Sequence, residues 1–452
     1  MYYIVRPIAR VAIRIFYRKI HISHLERIPQ DKPVILAANH PTAFMEPCVM
    51  AVFLPQPLYF LVRGDFFVHR FYRFLLNSLK MLPIYRIIDA GYSGLKNNFA
   101  TFEACADSLA KGRTIMIFPE GNTTHEKRMR PVKKGLARIV AGTLEKYPDL
   151  EEIFVVPVGF NYTYAERPRS AVMIDVGEPI PAKAYFKNDP RRAITELTNE
   201  LKARLEERVI IVRKHADEQL AEYLFLMARS HFGRAVFPVV NEEKRLLDTE
   251  IAIAEKINRM DSGEKAALEL AAAEYFARLD AVGIDDMTVV HPLPSGWATR
   301  LLWWLSAPAA WLGRGFCAPP MQLAWYIRKT RVERIEFFAP VLMAVSMGCF
   351  VVYFLLWLLV AAITGTWLLI PLAFALGGLG YFGILHREWG EETARGKYFR
   401  RVSTEGRIRL QEMRDSLVRL SGLDKLLVGQ AEIRQGRKRR FSTKLRRSAS
   451  SH

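Results

Sequence analysis

With 452 residues, half of them hydrophobic, the chain has room for one large domain with an appendage, or for two to three domains. Its formal charge of +19 implies an anionic partner: nucleic acid, an acidic membrane surface or a phosphorylated substrate. The four cysteines, Cys48, Cys105, Cys317 and Cys349, form no Cys-x-x-Cys pair and no Cys/His cluster of zinc spacing, which excludes a disulfide framework and a zinc site and leaves free thiols.

In chain order, residues 1–29 open with a basic amphipathic segment. Arg6, Arg10, Arg14 and Arg18 recur every four residues and interrupt every run that might serve as a secretory signal core. Tyr3, Ile4, Ile8, Val11, Ile15 and Phe16 supply an apolar side, so a helix lying on a membrane surface is expected. A helix packed on the domain is the alternative, and an organelle transit peptide ranks below the membrane-surface helix.

Residues 30–210 read as an α/β domain. Short apolar runs fall at 34–38, 58–61, 114–118 and 154–158, with helical stretches between them at 95–110 and 135–146. This alternation predicts a central, mostly parallel sheet with surrounding helices, whose chemistry sits on loops beyond the strand ends. Residues 211–296 are expected to be helical and charged, with periodic segments at 241–260 and 263–279 and no visible chemistry.

Residues 297–336 hold five of the eight tryptophans, around an uncharged run of 13 residues at 301–313. That run is too short for a bilayer core needing about 20 residues, so an interfacial or re-entrant segment is expected. Residues 337–385 then carry no charge over 49 positions. One helix of that length would reach roughly 70 Å, so two transmembrane helices are expected, at about 338–362 and 367–385, turning at Thr364-Gly365-Thr366. Arg328, Lys329, Arg331 and Arg334 precede this hairpin, and Arg387, Arg395, Lys397, Arg400 and Arg401 follow it. Basic flanks on both sides place both ends, and the α/β domain, on the cytoplasmic face.

The tail, 386–452, holds 18 Lys/Arg against 8 Asp/Glu. Its cluster Arg437-Lys438-Arg439-Arg440 suits anionic membrane lipid at about 1 kcal/mol per basic residue, or a solvated disordered tail. No nucleic-acid-binding module accompanies it, so nucleic acid is not the expected partner.

Four local patterns carry chemistry. Asn39-His40-Pro41-Thr42-Ala43-Phe44-Met45-Glu46-Pro47 follows a strand and can form a base with an orienting carboxylate. Leu82-Pro83-Ile84-Tyr85-Arg86 ends a short strand in a guanidinium fork suited to phosphate. Phe118-Pro119-Glu120-Gly121-Asn122-Thr123-Thr124 leads to Lys133 and Lys134 before a helix start, where phosphate is favoured. Glu120 can accept from a substrate hydroxyl or pair with Arg86. Val155-Val156-Pro157-Val158-Gly159 is an apolar strand with a proline.

Together and in this order, over about residues 30–180, the four resemble the PlsC-like glycerolipid acyltransferase family. That family usually carries His-x4-Asp. One branch with glycerol-3-phosphate acyltransferase-like members has Asn-His-Pro-x-x-Phe-x-Asp, and this chain fits that branch with Glu46 in place of the aspartate.

The resemblance implies the glycerolipid acyltransferase fold. It makes His40 and Glu46 catalytic, and Arg86, Glu120, Gly121 and Lys133 the acceptor-binding residues. The co-substrate would be acyl-CoA or acyl-carrier protein, and the acceptor glycerol 3-phosphate, dihydroxyacetone phosphate or lysophosphatidate, in phospholipid biosynthesis. Main-chain N–H groups of the Asn39-His40-Pro41 turn are candidate oxyanion donors. No cofactor or metal is expected. The competing class is a non-catalytic lipid-binding or scaffold membrane protein that keeps the fold.

Overall fold

In the computed structural model, residues 1–84, 94–123, 125–187, 189–292 and 296–427 are described, with side chains at 65–66 and 94–100 excepted. The chain divides into two compact units. The first comprises 1–209, 236–244 and 317–374; the second comprises 210–235, 245–316 and 375–452.

The first unit is built on a nine-stranded sheet. In chain order its elements are α1 (Tyr2–Phe16), β1 (Lys19–Ser23), β2 (Val34–Ala38), α2 (Met45–Phe53), β3 (Leu58–Arg63), α3 (Arg70–Ser78), β4 (Met81–Ile84), α4 (Gly94–Ala110), β5 (Thr114–Ile117), α5 (Gly135–Lys146), β6 (Phe154–Tyr162), β7 (Ala171–Val176), β8 (Ile180–Pro181) and α6 (Pro190–Glu206). The strand β9 (Val240–Asn241) completes it, in the order β4-β3-β5-β2-β6-β7-β1-β9, with β8 paired to β6.

Strands β4, β3, β5, β2 and β6 are parallel; β7 runs against β6, and β1 and β9 run parallel to β7. The sheet is thus mostly parallel, as the alternating pattern predicted, with two antiparallel pairings, β6 with β7 and β6 with β8.

Strand β2 shows why these residues form a central strand. Val34, Leu36 and Ala38 enter one hydrophobic cluster, and Ile35 and Ala37 enter the cluster on the opposite face. A strand covered on both sides reads as a continuous apolar run, and each such side chain contributes about 1.5–3 kcal/mol on burial. The first cluster brings in Ile13, Phe16, Met45 and Val49 of α1 and α2, and the second brings in Leu109, Ile139 and Leu201 of α4, α5 and α6.

The expected boundaries need correction. The sheet begins at Lys19 rather than at residue 30, because β1 pairs with β7 along Lys19–Ser23. Its sequence, Lys-Ile-His-Ile-Ser, alternates polar and apolar residues and lacks the apolar run used to find the central strands. The 211–296 segment is mostly helical as expected, but residues 236–244 join the first unit through β9.

Residues 297–331 form one 35-residue helix, so the segment expected to be interfacial or re-entrant is continuous and helical, with Trp297, Trp304 and Trp311 exposed. The short uncharged run bounds what hydrocarbon can cover, not where the helix ends. The tail begins inside a helix that continues to Arg401, and Thr404–Ser421 is helical too. The cluster 437–440 lies outside the described residues.

The remaining elements are α7 (Glu218–His231), α8 (Arg245–Arg259), α9 (Ser262–Val282), α10 (Asp286–Val290), α11 (Trp297–Arg331), α12 (Phe338–Thr364), α13 (Leu369–Arg401) and α14 (Thr404–Ser421). In the second unit, buried Glu250 on α8 receives both arms of Arg229 from α7, at 2.7 and 3.2 Å, and buried Asp286 receives Tyr275 and Arg414, at 2.7 and 2.8 Å. Each pair satisfies a carboxylate that would be costly to bury alone.

Helices α12 and α13 are long and apolar enough to cross a membrane; α12 lies close to the predicted boundaries, and α13 starts close to where predicted but continues to Arg401. Ala339, Leu342 and Met343, at the start of α12, belong to the first unit's core, whereas Val352, Leu355, Leu356, Leu359 and Ile363 are exposed.

Helix α1 also departs from the expected stripe. Arg10 Nε donates to the Val52 carbonyl at 2.9 Å and Arg6 donates to Leu54 and Pro55, so these two arginines close the C-terminal end of α2. Tyr3, Ile4, Ile8 and Val11 remain exposed.

Glycine is required where β6 meets Arg208. A Cβ on Gly159 would overlap the Arg208 carbonyl oxygen, whereas a Cβ on Gly135 meets nothing within 4 Å. Gly159→Ala is therefore expected to cost about 1–3 kcal/mol by overpacking. Thermal unfolding in detergent should show a lowered midpoint for it and no loss for Gly135→Ala.

Candidate active site

The site forms where β2 ends and α2 begins. Asn39 fixes the exit of the strand: its amide Nδ2 donates to the Phe160 carbonyl at 2.8 Å, and its Oδ1 accepts the Phe160 N–H at 2.7 Å. The amide thus continues the β2–β6 ladder one residue beyond the last paired strand position, and His40 follows directly.

The His40 ring stacks on Phe118, with centroids 3.8 Å apart and planes 10° from parallel. Its Nδ1 lies 3.1 Å from Glu46 Oε2. Glu46 sits in the first turn of α2, where the helix N-terminus favours a negative charge, and has no exposed surface. Its other oxygen, Oε1, accepts the Thr42 N–H at 3.0 Å, the Thr42 hydroxyl at 2.7 Å and the Tyr162 hydroxyl at 3.2 Å. The Thr42 hydroxyl in turn accepts the Met45 N–H at 3.2 Å. With Glu46 accepting from Nδ1–H, the other ring nitrogen, Nε2, is left to take a proton.

Glu120 is the second buried carboxylate of the site. Burial pushes it up to about 7, opposed by the main-chain N–H groups of Arg130 and His40, which donate to it. Gly121 adopts φ +71°, a conformation that favours glycine, and its N–H closes a turn onto the Phe118 carbonyl at 3.0 Å. Lys133 Nζ stands 2.9 Å from where a Gly121 Cβ would be, and its N–H binds the Pro119 carbonyl at 2.9 Å. His40, Glu46, Glu120, Gly121 and Lys133 are therefore brought together. Arg86 lies outside the described residues. Lys134 turns to Thr195 on α6, at 2.9 Å, away from this cluster.

The expected oxyanion donors need revision. The His40 N–H is given to Glu120, the Thr42 N–H to Glu46 and the Ala43 N–H to the Glu336 carbonyl at 3.1 Å, and Pro41 has none. The N–H groups of His40, Thr42 and Ala43 are thus engaged within the fold.

Asn39, Thr42, Phe118 and Tyr162 were not singled out from sequence. The first three lie within the quoted motifs, and their neighbourhood to His40 was the available signal. Tyr162 ends a strand identified only as far as Gly159. No cluster of three or more metal-ligating side chains occurs among the described residues.

A histidine base steadied by a buried carboxylate, at the end of a strand in a mostly parallel sheet, is suited to enzymes that activate a hydroxyl for group transfer. The comparisons narrow this class. A sequence model of the acyltransferase family matches residues 19–161.

Glycerol-3-phosphate O-acyltransferase 1 of Saccharomyces cerevisiae is 30% identical over 112 residues, covering 24% of this chain and 15% of that protein. The chloroplastic 1-acyl-sn-glycerol-3-phosphate acyltransferase of Brassica napus is 26% identical over 143 residues, 31% of this chain and 39% of that one. The crystal structure of the 1-acyl-sn-glycerophosphate acyltransferase PlsC from Thermotoga maritima aligns with a TM-score of 0.33 and 18% identity, over 45% of this chain and 80% of that one, and the assignment does not rest on it. The chain thus spans about 15% of the length of the yeast relative. Residues 19–161 thus match the acyltransferase family, and these relatives are glycerolipid acyltransferases.

The raised Glu120 gives a testable pH dependence. Its carboxyl holds a proton in the folded state at pH values where the unfolded chain, with an ordinary value of 4.5, has released it. The folded state then binds more protons, so Glu120 makes stability fall as pH rises from about 4.5 through about 7 and level off above. Comparing unfolding midpoints at about pH 5 and about pH 8, wild type should lose ground to Glu120→Gln at the higher pH. Parallel shifts of the two proteins would contradict this.

Proposed function

We propose that this protein is a membrane-embedded O-acyltransferase that moves a fatty acyl group from acyl-CoA or acyl-carrier protein to a hydroxyl of glycerol 3-phosphate, with lysophosphatidate as the second acceptor candidate. The observation that carries this reading is the buried His40–Glu46 pair, 3.1 Å apart, within a domain of the acyltransferase family. The similarity to a yeast glycerol-3-phosphate O-acyltransferase supports the first acceptor, and that to the Brassica enzyme supports the second.

In this mechanism Nε2 of His40 takes the proton from the acceptor hydroxyl as its oxygen attacks the thioester carbonyl. The tetrahedral intermediate collapses, the C–S bond breaks, and the imidazolium returns the proton to the leaving thiolate. Glu46 holds the ring and stabilises its cationic form. Base catalysis of this kind is worth about 10²–10⁴ in rate. Lys133, beside the bare main chain of Gly121, supplies a cation for the acceptor phosphate, and Arg86 is proposed to add a second. Helices α12 and α13 would cross the bilayer, with the basic flanks and the acyltransferase domain on the cytoplasmic face.

Three variants test the roles separately. His40→Ala should lose at least about a hundredfold in kcat with labelled acyl thioester, and full retained activity would remove His40 from the mechanism. Tyr162→Phe takes one donor from Glu46 and should lower kcat about tenfold, consistent with roughly 1.5–3 kcal/mol for a hydrogen bond to a charged group, while the KM for acceptor holds. Lys133→Gln should do the reverse, raising the KM for glycerol 3-phosphate about tenfold or more with a smaller change in kcat. Profiling glycerol 3-phosphate, dihydroxyacetone phosphate and lysophosphatidate in detergent decides the acceptor.

A further inference from the structure

Between β3 and β4 the chain makes a surface feature that the proposed chemistry does not use. Val68, Phe71, Tyr72 and Phe74 are exposed, Phe71 by 64% and Phe74 by 71%. Aromatic side chains left this open on a soluble face are costly, and a contiguous group of them marks an interaction site. Helix α3 sorts its residues by side: Phe71, Phe74 and Leu75 recur at helical spacing on one face, while Arg70, Arg73 and Asn77 recur on another. The stretch 68–80 carries Arg70, Arg73 and Lys80 and no acidic residue.

The surroundings identify the occupant. The Ser78 hydroxyl, at the end of α3, donates to the Met1 sulfur at 3.3 Å, so α3 meets the start of α1. Helix α1 exposes Tyr3, Ile4, Ile8 and Val11, and packs against α12. The start of α12 is set in the same core as α1, and its later turns are bare and apolar. Exposed apolar residues therefore occur on α3, on α1, whose start α3 touches, and on the helix that α1 packs against, which is long enough to span a bilayer.

We propose that α3 is a membrane-inserting element, which buries Phe71 and Phe74 in the near leaflet and sets Arg70, Arg73 and Lys80 among anionic lipid headgroups. An interfacial helix of this kind binds through buried apolar area plus attraction to anionic lipid. The inference rests on the membrane part of the function proposed above and is independent of acyl transfer.

The test uses the full chain reconstituted in mixed phosphatidylcholine and phosphatidylglycerol vesicles. Photoreactive p-benzoylphenylalanine replaces Phe74, Leu356 on α12 or Glu151, which is exposed beside β6. After irradiation, mass spectrometry should find lipid adducts at positions 74 and 356 and none at 151. The Arg70→Gln/Arg73→Gln pair should lower the adduct yield at 74 severalfold in the mixed vesicles and much less in pure phosphatidylcholine.

Lipid adducts at 356 without any at 74, or adducts at 74 to a second copy of the chain, would overturn the role of α3. No lipid adduct at 356 would overturn the membrane reading itself and this proposal with it. Acyl transfer could still stand in either case, because none of the three positions touches His40 or Glu46.

Discussion

A carboxylate with no exposed surface survives in a protein only when its lone pairs are filled, and the Glu46 carboxylate has four donors: the His40 ring, the main chain and hydroxyl of Thr42, and Tyr162. Those donors come from three places in the fold. The histidine leaves a central strand, the threonine caps the turn into α2, and the tyrosine ends the neighbouring strand. The arrangement exists only when β2 and β6 are in register, because the Asn39 amide clamps the main chain of Phe160 two residues before Tyr162. The geometry of the His40–Glu46 pair and that of the sheet are thus one constraint. Glutamate in place of the aspartate of related motifs fits this environment: the longer side chain spans from the first helical turn to both the imidazole and the strand end.

Glu120 shows the same economy from the other side of the loop. Its carboxylate takes the His40 N–H, and Gly121 next to it opens the space that Lys133 occupies. The two acidic groups hold the main chain and the ring of one histidine. They do so at the expense of the loop's own N–H groups, which are consumed in positioning and unavailable to a developing oxyanion.

Much of this was legible in the sequence because it rests on local pattern. Strands buried on both faces appear as the apolar runs 34–38 and 114–117, and the helix 135–146 has the boundaries its periodicity predicts. His40, Glu46, Glu120, Gly121 and Lys133 sit in short motifs, and the structure brings them together. What escaped was non-local. β1 has alternating polar residues and earns its place only by pairing with β7, some 150 residues on, while β9 is two residues long and has no pattern of its own. Arg6 and Arg10 formed a plausible headgroup stripe by periodicity, yet the unpaired carbonyls at the end of α2 claim them. Helix periodicity identifies a face and says nothing about what lies opposite it.

The rooting of α12 in the catalytic core has a mechanical consequence. Ala339, Leu342 and Met343 share one hydrophobic cluster with Met45 and Val49, and the Glu336 carbonyl just ahead of them takes the Ala43 N–H. An ordinary anchor can slide or tilt to match the thickness of the bilayer around it. A helix whose first turns are locked cannot shift vertically without dragging the loop that carries His40. With α12 crossing the bilayer as proposed, a lipid mixture of the wrong thickness would be met by thinning or swelling of the surrounding leaflets, or by strain delivered to residues 40–46, and bilayer thickness would become an input to the His40–Glu46 geometry.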